Sequence, residues 1–130
     1  MNNWIRIGAW SMAIGVALGA LAAHGLKPLL TEASMESFQT GVRYQIIHSL
    51  ALIILGGMDL QHSRKVLVFR LMLIGMICFS GSIYLLSMKD IIGTTGITAI
   101  IGPITPLGGI LLISSWVLLG LGIKDKTSDR

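Results

Sequence analysis

The side chains able to do chemistry fall almost entirely in four short stretches. His24 lies in "AAHGLKP", and Arg43, Tyr44, Gln45 and His48 lie in "TGVRYQIIHSLAL". Ser80, Ser82 and Tyr84 belong to "FSGSIYLL", while Pro103 and Pro106 belong to "GPITPLGG". Histidines can carry protons, and His24 with His48 could in principle hold a haem axially or hydrogen-bond a quinone. Lone histidines are more often structural, so this is the least favoured reading. No enzyme chemistry is supported. The chain has no H-E-x-x-H, Walker A, G-x-S-x-G or paired-cysteine pattern. Aspartates and glutamates sit only in loops and near the termini, so no paired carboxylates stand ready for acid–base work. His48 with a serine lacks a third group to orient it. One cysteine, Cys78, allows neither an internal disulfide nor a multi-cysteine metal site. No cofactor and no metal are expected.

The elements that carry these residues are set by composition. Of 130 residues, 53% are hydrophobic and 12% charged, against roughly 25% charged in a soluble domain. Mean hydropathy is +0.79. So few charges could not cover a soluble surface, so the chain reads as one all-α integral membrane domain. Spans are expected near 5–25, 41–60, 66–88 and 97–121, giving a bundle of four transmembrane helices. The last apolar run, Ile91 to Ile123, holds no charge over 33 positions. That exceeds the ~20 residues a span needs, so its opening "IIGTTG" is read as loop and helix entry. The stretch 27–40, "KPLLTEASMESFQT", is too polar to cross, and is expected to be an outer loop or a short interfacial helix. "ALA" at Ala20–Ala22 resembles a signal cleavage site, but the apolar run is long for a signal core and is read as a retained helix.

Orientation follows from the basic residues. Arg6, Arg64, Lys65, Arg70, Lys124, Lys126 and Arg130 fall on one side; Lys27, Arg43 and Lys89 fall on the other. The positive-inside tendency puts both termini in the cytoplasm, which requires an even number of spans. The basic residues flank apolar runs and form no patch, so lipids are the expected partner and nucleic acid is not.

At about 100° per residue, Gly41, Tyr44, Gln45, His48, Leu52 and Leu55 share one face of the second span. Arg43 points away toward the interface. Facing lipid would leave polar donors unpaired, so Tyr44, Gln45 and His48 are expected to turn inward. Pro103 and Pro106 should kink or interrupt the fourth span and free carbonyls there. Tyr44, Gln45, His48, Ser80 and Ser82 are the expected donors to those carbonyls. The polar level then either locks the bundle or forms a ligand or ion site, since broken helices line such sites in transporters. In the first span, Ser11, Gly15, Gly19 and Ala23 recur every four residues, making a groove of small side chains for a neighbouring helix.

Four blocks, "GALAAHGLK", "FQTGVRYQIIHSLAL", "FSGSIYLL" and "GPITPLGG", resemble in order the signature of the bacterial "domain of unknown function 423" family, whose eukaryotic relative is transmembrane protein 256. The resemblance covers nearly the whole chain. It implies a small four-helix inner-membrane protein, and it implies no reaction. His24, Arg43, Tyr44, Gln45, His48, Gly81, Tyr84, Pro103 and Pro106 match positions typical of that family, without a known role. A structural, envelope-integrity or complex-assembly role is therefore expected. The alternative is an oligomeric carrier or channel for a small solute, ion or proton. A homo-oligomer or a membrane-protein partner is compatible with either.

Overall fold

The computed structural model describes residues 2–93 and 95–122, and every regular element among them is helical. The basic residues Lys124, Lys126 and Arg130, used above to orient the chain, lie outside the described residues, as does Thr94 of "IIGTTG". Helix α1 is Asn2–Leu21 and runs directly into a π-helical turn, Ala22–Leu26. Pro28, which lacks a donor, sits in the following turn, where the N–H groups of Leu29 and Leu30 both return to Leu26 O. Helix α2 is Glu32–Gly57, capped by Thr31, whose side-chain oxygen accepts from Ser34 N at 3.1 Å. The polar stretch expected as a separate loop or interfacial helix is therefore mostly the beginning of α2. A good cap and a run of strong helix formers let the helix start nine residues before Gly41.

Helix α3 is His62–Ser87. A short α4, Lys89–Ile92, ends at Gly93 in the left-handed region (φ 71°). Helix α5, Thr98–Ile101, and helix α6, Ile104–Gly122, are separated by Gly102 and Pro103. Gly102 keeps helical dihedrals (φ −51°, ψ −48°) and its N–H still reaches Thr98 O at 2.8 Å, so the backbone stays helical and the missing bond is that of Pro103, which has no N–H. Pro106 lies in the first turn of α6, where a missing N–H costs little.

Contacts run α1 to α2, α2 to α3, and α3 to α6. Helices α2 and α3 form the centre, with α1 and α6 outside them. One apolar cluster joins Leu52 and Leu55 of α2 to Val68, Phe69, Met72 and Met76 of α3 and Leu112 of α6. A second joins Ala22 and Leu26 of the π-turn to Phe38 and Val42 of α2. The small-residue groove of α1 receives α2. A Cβ on Gly8 would lie 2.8 Å from Ser49 O, one on Gly15 would lie 3.2 Å from Ile46 Cγ1, and one on Gly19 3.3 Å from Val42 Cγ1. Ala23 does not continue the groove, because it is exposed while Ala22 is fully buried. A π-turn takes up extra residues compared with an α-turn, so the inward face moves off the four-residue repeat.

The basic residues that open α3 do more than mark topology. Lys65 is buried and donates from Nζ to Gly56 O (3.3 Å) and to Met58 O, at the C-terminal end of α2. Its Nζ also stands 5.8 Å from the centre of the Trp4 ring, which stacks on Phe69 at 4.3 Å. Arg64 donates to Leu118 O of α6 at 3.3 Å. Both cations sit where helix C-termini are electronegative. Lys65→Met is expected to lower stability by about 2 kcal/mol, the order of a charged hydrogen bond. Thermal unfolding in detergent micelles measures it.

Candidate functional site

Gln45 is the centre of the polar level. It is buried on α2, and its Nε2 donates to Ser11 O of α1 at 2.9 Å. Its Oε1 accepts from Tyr84 OH of α3 at 2.6 Å. One side chain therefore ties three helices. Beside it, Ser49 Oγ lies 2.6 Å from Gln45 O and 2.7 Å from Ser11 Oγ. A hydroxyl has one proton to give. If Ser49 donates to the Gln45 carbonyl, Ser11 can donate to Ser49, and both hydroxyls are satisfied. Met76 Sδ, 3.6 Å from Ser11 Oγ, closes the group from α3.

His48 belongs to a second group. Its Nδ1 lies 2.7 Å from Tyr44 O, one turn back, and its Nε2 lies 3.0 Å from Trp116 Nε1 of α6. A carbonyl can only accept and an indole N–H can only donate, so the imidazole is the neutral tautomer protonated on Nδ1. Both ring nitrogens are used. Trp116→Phe is expected to cost about 1 kcal/mol, in line with interhelical hydrogen bonds in membranes, and to shift the ¹⁵N resonance of His48 Nε2, which loses its donor. A third group lies between α3 and its neighbours: Ser80 Oγ donates to Gly41 O of α2 at 2.7 Å, and Ser82 Oγ meets Thr105 Oγ1 of α6 at 2.6 Å.

These placements correct several expectations. Tyr44 does not turn inward. It is 38% exposed, with its ring 4.6 Å from Phe79 and 6.0 Å from His48. Pro103 and Pro106 are also exposed, and Gln45 and His48 find their partners in Ser11, Tyr84, Tyr44 O and Trp116 instead of carbonyls freed in the last span. Only the Ser82–Thr105 bond reaches the "GPITPLGG" segment from the predicted group. His24 stands exposed on the π-turn, whereas His48 is buried against Trp116. Arg43 is exposed, and Ser80, Ser82, Gln45 and His48 are buried.

Sequence reasoning missed Ser49, Thr105 and Trp116. Ser49 is one turn from Gln45 on the same face, a signal that was available. Trp116 is 43% exposed, and nothing in its apolar run identifies His48 as the acceptor for its indole N–H. Between α1 and α3 lies an apolar groove of about 440 Å³, walled by Trp10, Ile14, Leu73 and Ile77 with Gln45 and Tyr84 at its base. No group of three metal-ligating side chains occurs among the described residues.

Fold and site define a helical membrane protein whose inward polar groups are engaged in joining its own helices. Among the described residues, three helical stretches, Asn3–Leu26, His62–Ser87 and Thr98–Gly122, are long and apolar enough to cross a bilayer. The profile of the family described as "Protein of unknown function (DUF423)" matches residues 18–109. UPF0382 membrane protein SH2409 of Staphylococcus haemolyticus is 37% identical over 92% of this chain and 93% of its own length. UPF0382 membrane protein YwdK of Bacillus subtilis is 35% identical over 92% and 94%, and a UPF0382 membrane protein of Haemophilus influenzae is 34% identical over 97% and 98%. No solved structure matches. The chain belongs to this DUF423 (UPF0382) family of membrane proteins of unknown function.

Proposed function

We propose that this chain is a non-catalytic, multi-pass protein of the bacterial cytoplasmic membrane, acting as a structural element in envelope integrity or in assembly of a membrane complex. In this reading α2 is a fourth span, the last span bends at Gly102–Pro103, and both termini are cytoplasmic. Helix α2 has 26 residues, about 39 Å at 1.5 Å each, which is long enough to cross. Arg43, Gln45 and His48 lower its hydropathy, but two of the three are buried against neighbours. The observation that carries the reading is the closure of the polar level. Among the described residues, Ser87 Oγ is the one buried side-chain polar atom without a partner. A solute pathway would need such groups free to take over a permeant's hydration.

Two measurements test it. In a Cys78→Ala background, Ser63→Cys should resist a membrane-impermeant maleimide in intact cells, while Ser37→Cys should react. Proteoliposomes of the wild-type protein should conduct protons and potassium no faster than protein-free vesicles. A flux lost in folded Gln45→Ala and His48→Ala variants would instead establish the carrier.

A further inference from the structure

A cavity of about 400 Å³ opens at the end of the bundle where α2 starts and α3 finishes, away from the network around Gln45. Ser34 and Ser37 of α2 line it, with Ser87 at the end of α3, Lys89 at the start of α4 and Thr105 of α6. Its one charged lining residue is a cation, and no carboxylate lines it. Glu32 and Glu36 stand on the same turns of α2 but outside the lining. The N-terminus of α2 adds donors. Thr31 takes the N–H groups of Ser34 and Met35, whereas those of Glu32 and Ala33 come before any intrahelical acceptor and carry the positive end of the helix dipole.

The second, independent observation is Ser87. The residue is 6% exposed, yet its Oγ has no hydrogen-bond partner. A buried hydroxyl left unpaired is costly, and Ser87 lines a cavity whose wall also holds three other hydroxyl residues, one ammonium and the apolar side chains of Ile83 and Leu86. Thr105 is already engaged by Ser82. That leaves the hydroxyls of Ser34, Ser37 and Ser87 and the Lys89 ammonium arranged around one space. We propose that this cavity binds a phosphate group. A phosphate offers acceptor oxygens in several directions, which suits donors arriving from three helices, and a helix N-terminus favours its charge. The helix ends bring the site to the membrane boundary, where phospholipid headgroups lie, so a phospholipid and free inorganic phosphate share the required chemistry.

The test uses the full-length protein in detergent. Inorganic phosphate is titrated by thermophoresis, and retention of phosphatidylglycerol is compared with that of phosphate-free diacylglycerol by native mass spectrometry. Ser87→Ala and Lys89→Gln should each weaken phosphate-dependent binding about tenfold, as expected for one charge-assisted hydrogen bond. Lys27→Gln, a charge change on the same side outside the lining, should leave it unchanged. Ser87→Ala should also unfold no earlier than wild type without ligand, because it removes an unpartnered hydroxyl. Preferential retention of phosphatidylglycerol identifies a lipid source, and saturable binding of inorganic phosphate alone identifies a soluble one. Either supports the site. Equal retention of both lipids with no phosphate binding overturns it, as does an equal loss in Lys27→Gln.

Discussion

Replacing Gly108 by alanine is expected to cost about 3 kcal/mol and to loosen α6 from α3, although it adds a single methyl group. A Cβ at this position would lie 2.5 Å from Phe79 N, 2.9 Å from Phe79 Cα and 3.0 Å from Cys78 C. All three are backbone atoms of α3, so no rotamer change can make room and one helix must move. Overpacking typically costs 1–3 kcal/mol, and a backbone obstacle belongs at the upper end. The loss outweighs the gain of up to about 1 kcal/mol that alanine has over glycine inside a helix. Gly109 is the internal control. Its Cβ would meet Phe79 Cδ2 at 3.7 Å, an ordinary contact, so Gly109→Ala should be neutral or slightly stabilising. Thermal unfolding of the two variants in detergent compares adjacent residues of like chemistry. Equal midpoints would show that α3 and α6 do not cross at Gly108.

The same pair shows how far the sequence could be read. Pro103 and Pro106 were legible as a place where a helix should kink or break. Periodicity could not tell that Gly108 touches a backbone and Gly109 a side chain, because that depends on which helix lies across them. The inward positions of Gln45 and His48 followed from their face of α2, but Tyr44 sits at the edge of that face and turns out toward Phe79. The Ser11/Gly15/Gly19 stripe was visible as a four-residue repeat. Its failure at Ala23 was not, since a π-turn is settled by how Ala22 and Leu26 pack on Phe38 and Val42. Lys65 is legible as a topology marker only, because a lone lysine beside an apolar run cannot reveal the carbonyls it caps. Helical faces were legible, and the partners across them were set by tertiary contact alone.

Gln45→Leu is expected to cost about 2 kcal/mol, and the way that loss couples to other positions tests the network more sharply than its size. The substitution removes the donor to Ser11 O and the acceptor for Tyr84 OH. Hydrogen bonds between membrane helices average about 0.6 and reach about 1.7 kcal/mol, and two are lost together. Because Tyr84→Phe deletes one of the same bonds, combining it with Gln45→Leu should cost less than the sum of the two single changes, with a coupling energy of about 1 kcal/mol. Combining Gln45→Leu with Trp116→Phe should be additive, since Trp116 bonds His48 and shares no partner with Gln45. Gln45→Glu distinguishes locking from ion handling. Protonated, the new carboxyl can donate to the Ser11 carbonyl and accept from Tyr84 as the amide does, whereas the ionised carboxylate meets the Ser11 carbonyl with no proton to offer and is costly to bury. A structural Gln45 therefore makes the Gln45→Glu variant lose stability as rising pH ionises the carboxyl, whereas a cation-handling position would keep or gain ion affinity with Glu. Additivity with Tyr84→Phe, or a glutamate variant whose stability does not change with pH, would remove Gln45 from the centre of the fold.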